Sequence, residues 1–135
     1  MTPEKLIELA KQSMARAYAP YSGHKVGAAL LCGDGAVYTG CNIENAAFSP
    51  TVCAERNAFF KAVSEGHRDF TAIAVCGGKD GVITGFFPPC GICRQVMMEF
   101  CDPDTFRIIL TNGKEVRTYT LAELLPLGFG PSKLD

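Results

Sequence analysis

Cys53-Ala54-Glu55-Arg56-Asn57-Ala58-Phe59-Phe60-Lys61-Ala62-Val63-Ser64-Glu65-Gly66, followed after a short gap by Thr71-Ala72-Ile73-Ala74-Val75-Cys76-Gly77, decides how this chain folds. The spacing predicts a helix over 54–65, stopped by Gly66, and then a short apolar strand over 71–77. Working outward toward the N-terminus, 25–32 and 36–41 are two β-rich runs joined by Gly33-Asp34-Gly35, a good hairpin turn. Before them, Thr2-Pro3-Glu4 marks a helix start with a cap, a first-turn proline and an acid near the positive end. Leu6, Leu9, Ala10, Ser13, Met14 and Ala17 recur at helical spacing, which predicts a helix over 3–18. Toward the C-terminus, 78–89 is a loop rich in glycine and proline, and 91–100 is a helix with Pro103 beyond its end. The runs 106–111 and 115–120 flank Asn112-Gly113, a strong turn dipeptide, and 121–125 is a last short helix. This α-β-β-α-β-α-β-β-α order implies a sheet covered by helices, one layered α/β domain spanning 1–135. Residues 42–52 carry no period and lead into Cys53, which points to a functional loop.

Composition narrows the function classes. A chain of 135 residues fits one compact domain. A domain of that length can bury roughly two-thirds of the surface its unfolded chain exposes, so it needs no disulfides. With 13 basic and 14 acidic residues and no basic run, an electrostatic track for nucleic acid is not expected. Seven cysteines, an odd number, with no basic-then-apolar leader argue against a disulfide framework and secretion. Reduced thiols predict a cytoplasmic location. No apolar segment approaches the ~20 residues that cross a bilayer, so no membrane association is expected.

Cys53, Cys90 and Cys93 are the candidate metal ligands, each at or near a helix start. The Cys90-Gly91-Ile92-Cys93 spacing lets two sulfurs face one ion at ~2.3 Å, and unpaired first-turn amides favour thiolate. A lone Cys-x-x-Cys also fits a redox pair, half of a structural zinc ribbon or two core cysteines. Cys32, Cys41, Cys76 and Cys101 remain available as a fourth ligand. A single thiol paired with a Cys-x-x-Cys favours an open, catalytic zinc over a closed structural one. Glu55, two residues from Cys53, then becomes the candidate proton carrier for a zinc-held water. Three thiolates and one zinc carry net negative charge, which weakens the ion as a Lewis acid. Arg56 is placed to draw charge off a thiolate as an outer partner; Arg94 either does the same or is solvated.

At these residues the chain resembles the zinc-dependent nucleobase deaminases, whose His-x-Glu and Pro-Cys-x-x-Cys signature has a three-cysteine form. Tyr18-Ala19-Pro20-Tyr21-Ser22, Val26-Gly27-Ala28-Ala29, Gly40-Cys41-Asn42-Ile43-Glu44-Asn45-Ala46, Cys90-Gly91-Ile92-Cys93-Arg94-Gln95 and Leu124-Leu125-Pro126-Leu127-Gly128-Phe129 together resemble the small, homotetrameric cytidine deaminases. That resemblance implies a three-layer α/β/α domain with a five-stranded mixed sheet. It implies one Zn2+ per subunit on Cys53, Cys90 and Cys93, with Glu55 as proton shuttle. Asn42 and Glu44 would take the ribose hydroxyls, the Ala54 backbone and His24 the base, and Phe129 a neighbouring subunit's substrate. The implied reaction is hydrolytic deamination of cytidine and 2'-deoxycytidine in pyrimidine salvage, by a homotetramer with shared sites. The chain departs from the family at His24, where phenylalanine is frequent, and at Phe48, where tyrosine is. Those departures leave open another aminated heterocycle, such as a cytosine-containing antibiotic nucleoside. A nucleic-acid substrate is disfavoured by the charge balance, and a structural zinc module predicts a four-sulfur shell.

Overall fold

The computed structural model describes residues 1–134. Its elements run α1 (Pro3–Met14), β1 (His24–Cys32), β2 (Val37–Cys41), α2 (Ala54–Ser64), β3 (Phe70–Lys79), α3 (Gly91–Phe100), β4 (Arg107–Thr111), β5 (Val116–Thr120) and α4 (Leu121–Leu124), then a 3-10 turn (Pro131–Leu134). The five strands form one mixed sheet in the order β2-β1-β3-β4-β5. Only β3 and β4 are parallel, and α3 lies in the connection between them. The other three pairings are antiparallel.

Strand alternation sorts side chains to two faces. On one, Leu6, Ile7, Ala10 and Met14 of α1 pack on Ala29, Ala74, Cys76 and Ile109. On the other, Ala58 and Phe59 of α2 and Met97 of α3 pack with Leu121 on Ala28, Leu30, Ile73 and Val75. The result is the expected α/β/α layering. Phe59 sits at the centre of the thicker layer, its ring edge-on to Phe70 at 5.1 Å. Burial of one such side chain stabilises the fold by roughly 1.5–3 kcal/mol.

Two glycines let the helices lie flush on the sheet. A Cβ on Gly27 would come within 2.0 Å of the Ala10 carbonyl oxygen, and one on Gly40 within 2.3 Å of that of Ala54. Only glycine allows backbone contact that close.

Two boundaries differ from the sequence expectation by two residues or more. Helix α1 starts as expected, with the Thr2 side chain accepting from the Lys5 amide at 3.2 Å. It ends at Met14, not at 18, because Tyr18 is captured by the 42–52 loop. The Tyr18 amide donates to Asn42 O, and its carbonyl accepts from the Glu44 amide. Strand β3 reaches Lys79 because β1 pairs with it along its whole length, from His24↔Lys79 onward. The 3-10 turn near the end carried no sequence signal. Among the described residues, no helix is long and apolar enough to cross a membrane.

Candidate active site

The loop 42–52 delivers the chain to α2, and the loop 80–90 delivers it to α3, so the two helix N-termini meet at one end of the sheet. Cys53 is the N-cap of α2 and Cys90 that of α3; neither side chain caps its own helix, which leaves both sulfurs free. Cys53 Sγ lies 3.7 Å from Cys90 Sγ, and Cys90 Sγ lies 3.5 Å from Cys93 Sγ. All three sulfurs lie within 4.8 Å of one another. A tetrahedron with bonds of ~2.3 Å has sulfur–sulfur edges of about 3.8 Å, so this donor set fits zinc.

Among the described residues, no fourth His, Cys, Asp or Glu joins that group. The candidates left open by sequence lie elsewhere. Cys76 donates to Met14 Sδ at 3.4 Å under α1. Burial pushes the Cys101 thiol far up, and Cys41 is pushed up by the same cause. Cys32 lies at the far end of β1.

Local electrostatics separate Cys53 from Cys93. Cys53 is held down to about 5, first by its hydrogen bond with Cys93 and then by Arg56 and Cys90. Cys93 is pushed up, first by that same bond to Cys53 and then by burial. Of Cys53 and Cys93, Cys53 is the one whose thiolate form its neighbours favour. Arg56 Nη2 donates to Cys53 Sγ at 3.5 Å, as its position in the first turn of α2 led us to expect. Arg94 does neither of the things expected of it. Its Nε donates to Pro89 O at 2.8 Å and its Nη1 to Leu124 O at 2.5 Å, tying the Cys90 loop to α4.

Glu55 is 4% exposed, and burial raises its carboxyl from the usual range to about 7. A group poised there can both take and return a proton at neutral pH. It opens, with Cys53, Ala54 and Cys90, onto a cavity of about 400 Å³. That is room for a small organic molecule.

The other wall of the cavity is polar. Asn42 Oδ1 accepts from the Val26 amide at 2.9 Å, and Nδ2 donates to His24 O at 2.8 Å. One Nδ2 hydrogen remains for a ligand. Glu44 accepts from the Tyr21 and Ser22 amides at 3.0 and 3.1 Å and from the Ser22 hydroxyl. The Ser22 hydroxyl is the main reason its carboxyl lies below the usual carboxylate range. His24 lines the same cavity, its ring tilted 32° against Phe87 at 6.1 Å. His24 Nδ1 faces Ser22 O at 3.1 Å. A carbonyl only accepts, so Nδ1 carries the hydrogen and Nε2 is the acceptor of the neutral ring.

The sequence expectation missed Phe87 and the clamp that Ser22 places on Glu44. Phe86-Phe87 beside Pro88-Pro89-Cys90 was the available signal: paired aromatics in an otherwise small-residue loop. Phe129 does not line this cavity; its carbonyl accepts from Gln95 Nε2 at 2.8 Å and its ring is 56% exposed. Phe48 adopts φ 61°, projects outward and meets Tyr21 edge-on at 6.1 Å.

Residues 1–108 match the family model of the cytidine and deoxycytidylate deaminase zinc-binding region. The chain is 50% identical to a cytidine deaminase of Sporosarcina psychrophila, over 100% of this chain and 96% of the relative. It is 49% identical to a cytidine deaminase of Halalkalibacterium halodurans, over 96% and 95% of the two chains. The crystal structure of cytidine deaminase from Burkholderia pseudomallei superposes with a TM-score of 0.88 at 48% identity, covering 96% of this chain and all of that one. Three clustered thiols, a buried carboxyl and relatives matched end to end agree: this chain belongs to the zinc-binding cytidine and deoxycytidylate deaminase family.

Proposed function

We propose that this protein hydrolyses cytidine and 2'-deoxycytidine to uridine and 2'-deoxyuridine, releasing ammonia. One observation carries the proposal: a neutral-range buried carboxyl and two thiols of the three-sulfur cluster, Cys53 and Cys90, share a cavity with a polar amide–carboxylate pair. Cys53, Cys90 and Cys93 hold zinc, one ion per subunit, which when bound lowers the pKa of water toward neutrality. Glu55 takes a proton from the attacking water and delivers protons to ring N3 and then to the departing amine. A C4–O bond forms, the C4–N bond breaks, and one water becomes the carbonyl oxygen of the product while ammonia leaves. Arg56 draws charge from the Cys53 thiolate, so the sulfurs burden the ion less.

Asn42 and Glu44 take the sugar hydroxyls: the amide has a free donor, and the carboxylate keeps lone pairs beyond its three bonds to Tyr21 and Ser22. The Ala54 backbone meets the base edge, and His24 with Phe87 forms its flat wall.

The single domain works as a homotetramer in the cytoplasm, in pyrimidine salvage. Exposed Tyr18, Tyr21, Ile43, Phe48 and Leu127 support assembly, because apolar surface of that kind is costly in water. Phe129 is exposed and outside its own chain's cavity, which supports its closing a neighbour's. Seven free thiols support a reducing compartment.

The test is ammonia release from cytidine by purified protein, with and without a zinc chelator, beside cytosine, adenosine and blasticidin S. Turnover of cytidine that chelation abolishes and zinc restores is the expected result. Zinc-loaded protein that leaves cytidine intact overturns the proposal.

A further inference from the structure

At the opposite end of α2 from Cys53, a second set of metal-type ligands converges. Cys32 closes β1, Asp34 lies in the turn between β1 and β2, and His67 follows α2 just past Gly66. One ligand atom from each, a sulfur, a carboxylate oxygen and a ring nitrogen, lies within 4.8 Å of the other two. The eleven residues of α2 span about 16 Å, so this cluster is separate from the catalytic end.

Three further observations bear on it. Asp34 Oδ1 accepts from the Ala36 amide at 3.0 Å, which orients Oδ2 toward His67 Nε2 at 3.1 Å. That spacing is close to a ligand–ligand edge around a tetrahedral ion with bonds of ~2.0 Å. The other ring nitrogen, His67 Nδ1, is buried without a hydrogen-bond partner. No partner fixes a proton on that nitrogen, so the ring is not held to one tautomer. The surroundings are acidic: the Asp69 carboxylate lies against Gly33, and Glu65 accepts from the Tyr38 hydroxyl, whose ring sits 5.1 Å from His67. Arg68 is the nearby cation, but its Nη1 is turned to the carbonyls of Val63 and His67.

We propose that Cys32, Asp34 and His67 form a second divalent-cation site, of zinc-like ligand preference, that clips the β1–β2 turn to the end of α2. Mixed sulfur, nitrogen and carboxylate donors are what zinc accepts and what magnesium and calcium avoid. Water completes the tetrahedron. The ion displaces the proton of the Cys32 thiol, which burial, Asp34 and Asp69 hold above the usual thiol range. Binding therefore releases a proton. The proposal does not depend on what the cavity at the other end of α2 binds.

The test is zinc per chain after equilibrium dialysis, with buffered free zinc stepped from nanomolar to micromolar, for the full chain and for Asp34→Asn and His67→Gln. The full chain should saturate near two ions and each variant near one, while ammonia release from cytidine changes less than about twofold. Asp34 is exposed, so its variant folds whatever the site does. Saturation of the full chain at one ion overturns the proposal. So does a second ion that both variants retain, since it would then sit elsewhere.

Discussion

Gly40 lies so close beneath Ala54 that a Cβ on Gly40 would stand 2.3 Å from the Ala54 carbonyl oxygen and 2.6 Å from the Ala58 amide nitrogen. Cys53 stands at the N-cap of α2, whose first turn carries Glu55 and Arg56, so this contact sets the height of the reactive groups above the sheet. Gly40→Ala must lift that turn. It should destabilise the protein by about 1–3 kcal/mol or more and cost turnover as well. Gly85, whose Cβ would meet nothing within 4 Å, is the control. Thermal melts and ammonia release on both variants check this; a Gly40→Ala protein as active and stable as Gly85→Ala would refute it.

Glu55→Gln keeps the shape of the side chain and removes its basicity. Zinc content and melting behaviour should hold, while turnover of cytidine drops by at least ~10²–10⁴-fold. Metal analysis and a stopped ammonia assay on one preparation separate the two effects. Near-normal activity would mean another group moves the protons.

Arg56 stands in the first turn of α2, where a cation opposes the helix dipole, and its recompense is the Cys53 sulfur at 3.5 Å. Arg56→Gln should weaken zinc affinity by roughly 10–100-fold, read by competition with a chromophoric chelator. The metal-free protein should not lose stability. A variant that binds zinc normally yet unfolds early would make Arg56 a packing residue.

Asn42 joins two strand ends to the cavity by accepting from Val26 and donating to His24. Asn42→Ala leaves the Val26 amide buried and unpaired, at a cost of about 1–3 kcal/mol. Denaturant midpoints should show that loss, and KM for cytidine should rise. An unchanged midpoint would mean water replaces the side chain.

Ser22 lowers the Glu44 carboxyl through its hydroxyl, so the pair contributes stability above the ordinary carboxylate range. That contribution is lost as pH falls through the depressed folded-state value. Ser22→Ala should therefore be less stable than the parent at pH 7, by less than ~1 kcal/mol at so exposed a site, with the gap closing in acid. Paired pH titrations of the melting temperature check the sign; a gap that widens in acid would contradict it.

Much of this was legible in the residues. Thr2, Pro3 and the apolar spacing after them mark α1, and Cys53 and the Pro89-Cys90 step mark two helix starts within a residue. Such signals are local, because caps and periodic faces act over a few neighbours. Where the expectation departed, a distant partner intervened. Tyr18 left the helix because Asn42 and Glu44 offered it backbone bonds, and β3 lengthened because β1 did. Arg94 found nearby Pro89 and also Leu124, thirty positions on, a pairing that no spacing rule contains.

What the order of residues determined alone was the repertoire: which segments are helix or strand, which thiols stand at helix starts with metal-ligand spacing, and which carboxyl stands beside them. Propensity, patterning and donor chemistry are properties of short stretches, so they survive without a fold. Tertiary structure decided the sheet order, the single parallel pair, the meeting of two helix starts and the burial that carries Glu55 to about 7. It also decided that Cys32, Asp34 and His67 are neighbours. Proximity between distant segments and exclusion of water arise only once layers pack, and those two conditions turn a set of side chains into a site.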